Sequence, residues 1–208
     1  MKGHIKKLVL LMIITVIATF ILAATVPAGE PYHRAIRGQY GATGGYTVLV
    51  APLGFSTDLI PNGPPSAYLF NACSFDGVYT FKRDGTGSFE GLDHCTTLSY
   101  TKAGITYPSS AGSAIETFLF HYTVAADGKI TITQDPGTHV TEWTSGPSAG
   151  QTIYSDGLPL TGFITPDGKT ITLTMGAPSV LSVPGGVPPT LQLIINSSSV
   201  LIYQHEHD

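Results

Sequence analysis

Apolar and polar residues alternate in three stretches of the chain, and an Asp-Gly pair interrupts each stretch. Because strand side chains point alternately to opposite faces, this alternation predicts half-buried β-strands. Asp-Gly supplies the positive φ angles that tight hairpin turns require. The sequence therefore predicts three hairpins, which are Val78–Gly91 around Asp84-Gly85, Thr117–Thr133 around Asp127-Gly128, and Leu160–Met175 around Asp167-Gly168.

Less regular apolar runs predict further strands at Tyr46–Ala51, Tyr68–Ser74, Thr138–Thr144, Gln151–Tyr154, Thr190–Ile195 and Val200–Gln204. No stretch combines a 3.6-residue period with helix caps. About eight to ten short strands joined mostly by tight turns predict an all-β fold, an antiparallel up-and-down barrel, with a β-sandwich as the alternative. Segments rich in Gly, Pro and Ser are predicted as surface loops at 52–65, 103–114 and 176–189.

The N-terminal segment has the order of a secretory signal peptide. Lys2, Lys6 and Lys7 precede the uncharged run Leu8–Ala24, and small residues follow as far as Ala28. We predict a signal peptide over 1–28 and a single barrel domain over 29–208. An uncleaved N-terminal anchor is the alternative. With the signal removed, we expect an exported protein, periplasmic or extracellular, without stable insertion in a membrane.

The charge balance argues against a nucleic-acid partner. Charged residues make up only 12 % of the chain. Beyond residue 28, seven Lys and Arg face fourteen Asp and Glu, which gives the predicted mature chain a net charge of −7. Such a chain offers no basic face to the phosphate backbone, and we expect no binding of nucleic acid.

Cys73 and Cys95 are the only cysteines. In an exported protein an even pair is typical of a disulfide, and we predict that bond. If Asp84-Gly85 is a two-residue turn, Cys95 comes level with Ser74, one residue from Cys73. The alternative is two free thiols or, since His94 adjoins Cys95, half of a metal site.

Three hairpin motifs, FKRDGTGSFEG, FHYTVAADGKITIT and GFITPDGKTITLT, resemble those of bacterial lipocalin-like (calycin) β-barrel domains. The resemblance covers roughly Gly77 to Met175. It implies an up-and-down barrel and often an apolar ligand in the barrel mouth. Lipocalins carry Gly-x-Trp near the first strand, packed under a late Arg. This chain has Gly77-Val78-Tyr79 instead, and no Arg follows Arg83.

Aromatic residues at strand spacing are the candidate lining of such a barrel. In Thr117–Val124 the aromatic residues all share one face of the predicted strand. Burial of apolar area stabilises a fold by about 25 cal/mol per Å², so burying this face is more favourable than burying the opposite one. We therefore expect them inside, with Ile130, Ile132, Ile171 and Leu173, and His121 outside. The candidate lining residues are Tyr79, Phe81, Phe118, Phe120, Tyr122 and Trp143. An eight-stranded barrel is either filled by side chains or holds one small ligand, and the sequence leaves both open.

Catalytic motifs are missing from the sequence, which has no Gly-x-Ser-x-Gly elbow, no HExxH and no phosphate loop. We therefore predict no catalytic residue, no metal and no cofactor. His139 and Glu142 have opposite parity on one strand and should not pair. The C-terminal His205-Glu206-His207-Asp208 is interpreted as a solvated tail. Three acids are isolated candidates for acid–base chemistry, and the simpler expectation for each is a solvated strand-end acid, namely Asp93, Glu116 and Glu142.

Three functions remain as hypotheses. The first is a non-catalytic barrel that binds a small, mainly apolar molecule. The second is a structural or interaction protein of the cell envelope with a solid core. The third is a barrel-type isomerase or cyclase. An internal pocket would favour the binding protein. A filled barrel with an exposed apolar patch would favour the structural or interaction protein. A buried His or carboxyl group with a displaced pKa would favour the enzyme.

Overall fold

The structure is a computed structural model that describes residues 36–63, 68–102, 105–155, 157, 159–175, 179–182 and 192–204. The predicted signal peptide, the tail from residue 205 and most of the segment 176–189 lie outside the described residues. Within the described ranges, no helix has the length and apolar character that a membrane crossing requires.

The described residues form antiparallel strands. They are β1 (Gly38–Ala51), β2 (Leu69–Phe81), β3 (Thr86–Thr97), β4 (Tyr100–Lys102), β5 (Ile105–Tyr107), β6 (Ser110–Val124), β7 (Lys129–Gln134), β8 (His139–Trp143), β9 (Thr152–Ser155), β10 (Pro159–Ile164), β11 (Thr170–Thr174), β12 (Ser179–Ser182) and β13 (Gln192–Tyr203). The hairpin β4–β5 forms a separate two-stranded sheet.

Eight strands close into an up-and-down barrel. Their order around the ring is β1-β2-β3-β6-β7-β10-β11-β13, and β13 returns to β1. The closing pairs run from Tyr40 opposite Tyr203 to Ala51 opposite Gln192. Every neighbour in the ring is the next ring strand along the chain. The predicted antiparallel barrel is confirmed, and the sheet closes on itself instead of splitting into a sandwich.

The two ends of the barrel are built differently. Along one edge of β6, β7 pairs with residues 120–124 and β8 pairs with residues 114–117. The edge of β13 is likewise divided between β11 and β12. We call the part of the barrel that β7, β10 and β11 enclose the closed half. We call the part whose wall β8, β9 and β12 extend the open half. Among the described strands, β9 and β12 do not pair with each other.

The turn at Asp84-Gly85 is one residue longer than predicted. Phe81 pairs with Gly87, and the Lys82 amide donates to the Thr86 carbonyl at 2.9 Å. Gly85 has φ of 83°, the conformation that closes a three-residue loop after a type I turn. The extra residue shifts the register, so that Cys73 lies directly opposite Cys95.

Two predicted loops contain strands. Within 103–114 lie β5 and the first residues of β6, and within 176–189 lies β12. The start of β6 is a run of Ser, Ala and Gly with low strand propensity, but it pairs with β3 from Ser110 onward, and β8 joins the other edge of β6 from Ala114. Pairing with neighbours therefore overrides local composition. For the same reason the two predicted runs Thr190–Ile195 and Val200–Gln204 join in one strand, β13.

Aromatic and aliphatic side chains fill the closed half. Tyr40, Phe81 and Phe120 are completely buried, together with Ile36, Ile130, Ile171 and Leu201. The Phe81 ring lies 5.3 Å from that of Phe120 and 5.1 Å from that of Tyr122, both edge to face. Gly87 makes room for this packing, since a Cβ there would come within 2.2 Å of the Phe120 ring. The side chain of His121 lies on the opposite, outer face and is exposed, and its Nδ1 lies 2.5 Å from Asp135 Oδ1.

Candidate functional site

The open half of the barrel contains a cavity of about 240 Å³. Side chains of one parity from each surrounding strand line it, because the other parity points outward. Its apolar lining includes Val48, Val50, Phe75, Phe118, Leu160 and Ile195. At the floor, the rings of Phe89 and Phe118 stack with centroids 4.9 Å apart, and the Tyr79 ring packs on Phe89 at 4.6 Å. These rings separate the cavity from the packed closed half.

The structure brings three of the candidate lining residues to the cavity. Tyr79, Phe118 and Trp143 line it. Phe81, Phe120 and Tyr122 are buried in the closed half and do not line it. The alternation along a strand shows which side chains face inward. It does not show at which height along the barrel axis the interior is hollow.

Asp93 is a buried carboxyl beside the cavity wall. It is 1 % exposed, and the Tyr46 hydroxyl donates to its Oδ2 at 2.6 Å. Burial, together with the nearby charge of Glu116, raises the pKa of Asp93 to about 8. Burial also holds the pKa of Tyr46 far above its ordinary value, so that its hydroxyl remains a donor. The expectation of a solvated strand-end acid is wrong for Asp93, because β3 continues to Thr97 and puts this residue on the inward parity of Phe89.

Glu116 and His139 form a second buried pair. Glu116 Oε1 lies 2.6 Å from His139 Nε2, and the Ser155 hydroxyl lies 2.9 Å from His139 Nδ1. All three side chains line the cavity. The expectation of a solvated position is wrong for Glu116 as well, because β6 begins at Ser110 and Glu116 shares the inward face of Phe118. Glu142 is exposed on the outer face of β8.

The two pairs join into one polar wall. Asp93 and Glu116 interact through charge, since after burial the charge of Glu116 is the main cause of the raised pKa of Asp93, while Asp93 Oδ1 has no hydrogen-bond partner among the described residues. We call the connected set Tyr46, Asp93, Glu116, His139 and Ser155 the polar wall. It spans β1, β3, β6, β8 and β9. Residues far apart in sequence thus place titratable and hydroxyl groups side by side along an apolar space.

Two further polar atoms lie in the cavity lining without a hydrogen-bond partner among the described residues. They are Asn71 Oδ1 and Trp143 Nε1, both inaccessible to solvent. Buried polar atoms in folded proteins nearly always have a partner, from the protein or from a bound molecule. Because neither atom is accessible to solvent, a molecule in the cavity would reach them only after a movement of the neighbouring side chains.

The predicted disulfide is confirmed and forms part of the cavity wall. Cys73 and Cys95 are bonded directly across β2 and β3, with Cα atoms 4.1 Å apart. The Tyr46 hydroxyl lies 3.7 Å from Cys95 Sγ. The bond therefore fixes two strands of the open half beside the residue that contacts Asp93.

The described part of the chain contains no group of three or more His, Cys, Asp and Glu arranged to hold a metal ion. Asp93 instead lies beside Glu116, and Glu116 lies beside His139. Acidic and basic groups in such a row are suited to proton transfer. The tail at 205–208 lies outside the described residues.

No family model matches the chain, and no curated protein matches it. Among solved structures, it is similar to the S-type phycobiliprotein lyase of Guillardia theta, with 7 % sequence identity and a TM-score of 0.29. The match covers 84 % of this chain and 92 % of that chain. Neither family nor function follows from a similarity of this size.

Proposed function

We propose that this protein binds a small, mainly apolar molecule in the open half of its barrel. The observation that carries the proposal is the cavity of about 240 Å³, lined by aliphatic and aromatic side chains with a few converging polar groups. Small-molecule sites have this composition and commonly lie in the mouths of β-barrels.

The contrast with the closed half supports a site over a packing defect. The same strands fill the closed half completely, with Phe120 and Ile132 fully buried. The second hypothesis requires a solid core, and only one half of the barrel has one.

We further propose that binding takes place outside the cytoplasm, in the periplasm or the extracellular space. The basic and apolar order of residues 1–28 supports export. The disulfide between Cys73 and Cys95 supports it independently, because such bonds persist in oxidising compartments.

The neutral dye N-phenylnaphthylamine, which fluoresces in apolar surroundings, tests the proposal. We expect saturable fluorescence enhancement with the wild type. Val48→Phe, which fills the cavity, should abolish it. Val200→Phe, on the outer face of β13 where Val200 is 41 % exposed, should not. Circular dichroism should verify that both variants are folded.

No enhancement with the wild type, or equal enhancement with a folded Val48→Phe variant, contradicts the proposal. In the first case the cavity does not accept an apolar molecule. In the second the dye binds elsewhere on the protein.

The raised pKa of Asp93 favours an acid–base enzyme, such as an isomerase or cyclase, as a second candidate. His139, held between Ser155 and Glu116, could move a proton to or from a bound molecule. Mass spectrometry and nuclear magnetic resonance of a ligand incubated with the protein separate the candidates. A chemically changed ligand favours the enzyme, and an unchanged one favours the carrier.

A further inference from the structure

We propose that the polar end of the cavity receives a cation, so that the ligand is an aliphatic amine on an apolar body. This inference rests on the proposed function and specifies its ligand class. It follows from which charged and hydrogen-bonding groups line the cavity and which do not.

The polar wall is acidic. It contains two carboxyl groups, Asp93 and Glu116, against the single imidazole of His139. No Lys or Arg is among the described residues that line the cavity. A carboxylate ligand would bring another negative charge beside Glu116 in surroundings of low dielectric constant, where an uncompensated charge is costly. An ammonium group would instead balance the wall.

Several polar side chains of the cavity lining offer hydrogen-bond acceptors. Glu116 presents a carboxyl group, and the Tyr46 hydroxyl, which donates to Asp93, keeps its oxygen lone pairs free to accept. Asn71 also lines the cavity, and its Oδ1, shielded from solvent, has no donor among the described residues. An alkylammonium group has three donors and no acceptor, which matches these acceptors. The hydroxyl groups of Thr141, Ser155 and Ser197 in the lining can accept from it as well.

Aromatic faces and aliphatic side chains complete the site. The rings of Tyr46, Phe118 and Trp143 line the cavity together with Glu116. Cations bind favourably over aromatic faces, most strongly in desolvated sites. Val48, Leu160 and Ile195 line the same space and would receive the apolar body of the ligand. An amphipathic amine would satisfy both regions at once.

The proton inventory of the wall agrees with a cation site. Asp93 lies beside Tyr46 from β1 and Glu116 from β6, and Glu116 lies beside His139 on β8, whereas Asp76 acts on Asp93 only through its charge from the outer face of β2. Burial and the nearby carboxylates raise the pKa of Asp93 to about 8, so this carboxyl group keeps its proton at neutral pH. An entering ammonium group would favour the ionised carboxylate, and the proton of Asp93 would then pass to solvent.

Competition against N-phenylnaphthylamine on the wild-type protein tests the inference. The competitors share one apolar body and differ in the head group, namely naphthylethylamine, naphthylethanol and naphthylacetate. We expect the amine to displace the dye at about tenfold lower concentration than the alcohol, because its hydrogen bonds are charge-assisted. The acetate should be the weakest of the three.

If the alcohol or the acetate competes as well as the amine, the inference is overturned while the proposed function stands. If the protein does not bind the dye at all, both are overturned. The two failures are therefore distinguishable in one experiment.

A pair of variants locates the effect. Glu116→Gln should remove the preference of amine over alcohol, since it removes the charge at the cavity surface. Glu142→Gln is the matched control, because Glu142 is exposed on the outer face of the neighbouring strand and lies opposite Ile115. Asp93→Asn should reduce the preference in the same direction. A folded Glu116→Gln protein that keeps the full preference would overturn the assignment of this wall.

Discussion

The closed and open halves of the barrel are built from the same strands but contain different interiors. On β6 the inward residues of the closed half are Phe120, Tyr122 and Val124, whereas those of the open half are Ala114 and Glu116. Alternation along the strand is unchanged between the halves. The difference shows that inward-facing positions pack the core at one end and line a cavity at the other.

Turns reinforce the closed half. The Tyr122 amide donates to the Gly85 carbonyl at 2.7 Å, and the Ile164 amide donates to the Gly128 carbonyl at 2.9 Å. The Tyr40 hydroxyl donates to the Gly168 carbonyl at 2.7 Å. The three Asp-Gly turns thus connect to strands other than their own and cover the barrel floor. We expect stability to depend mainly on this half and binding on the other.

The largest effect is expected from truncation of the closed-half core. Phe120→Ala removes a completely buried ring and should lower the free energy of unfolding by about 3–5 kcal/mol. Phe118→Ala should cost less, because that ring already borders the cavity, and should alter dye binding more. Urea unfolding and dye titration measure the two quantities. Equal losses of stability would show that both halves are packed alike.

Loss of the disulfide should have the next largest effect. Replacing both cysteines, as Cys73→Ala with Cys95→Ala, should cost about 3 kcal/mol by chain-entropy arithmetic. Because the bond lies in the cavity wall, dye affinity should fall even where the protein remains folded. Thiol titration of the unfolded, unreduced wild type should find no free thiol. Two titratable thiols would contradict the bond.

The buried carboxyl of the open half should make stability depend on pH. The pKa of Asp93 is about 8 in the folded protein, against an ordinary 3.8. Between these values the unfolded chain loses a proton that the folded protein keeps, so the free energy of unfolding falls as pH rises. The loss should be roughly 2 kcal/mol between about pH 6 and pH 8.

Asp93→Asn should flatten this dependence, while Asp58→Asn, in an exposed loop, should leave it unchanged. Urea midpoints measured across the pH range provide the comparison. A wild-type protein whose stability is constant over that range would contradict the raised pKa.

The smallest effect is expected at a closed-half turn. Gly128 has φ of 84°, which costs a residue with a Cβ about 1 kcal/mol, so Gly128→Ala should lower stability by that amount. Dye affinity should stay the same, because the turn lies at the far end from the cavity. A change in dye affinity would indicate that the two halves are coupled.

The closed half could be predicted from the sequence to a large extent. Its hairpins combine local alternation with Asp-Gly, and both signals lie within a few residues of each other. The inward set Phe120, Tyr122, Ile130 and Ile132 follows from that parity alone. One detail was wrong, the two-residue turn at Asp84-Gly85, since loops of two and three residues share the same Asp-Gly signature.

The polar wall could not be predicted in the same way. Glu116 follows a run of Ser, Ala and Gly, and Asp93 follows Gly91, where the regular alternation of its hairpin ends, so the local pattern indicates the end of a strand at both places. Their burial depends on pairing between β3 and β6, which no local signal specifies. His139 meets Glu116 only because β8 pairs with β6 beyond the end of β7. The sequence did contain one signal for their burial. If the strands continue, Asp93 shares the inward face of Phe89, and Glu116 shares that of Phe118.

Closure of the ring by β1 and β13 has a consequence for the order of folding. Tyr40 and Tyr203 are neighbours in the barrel but are separated by nearly all of the described chain. Until β13 is present, β1 has an unpaired edge along its whole length, and such edges recruit other chains. Non-local pairing of this kind slows folding and lengthens the time during which partly folded molecules can aggregate. Pairing of β13, the last described strand, therefore ends the period in which the edge of β1 is open to aggregation, although β13 contributes no residue to the polar wall.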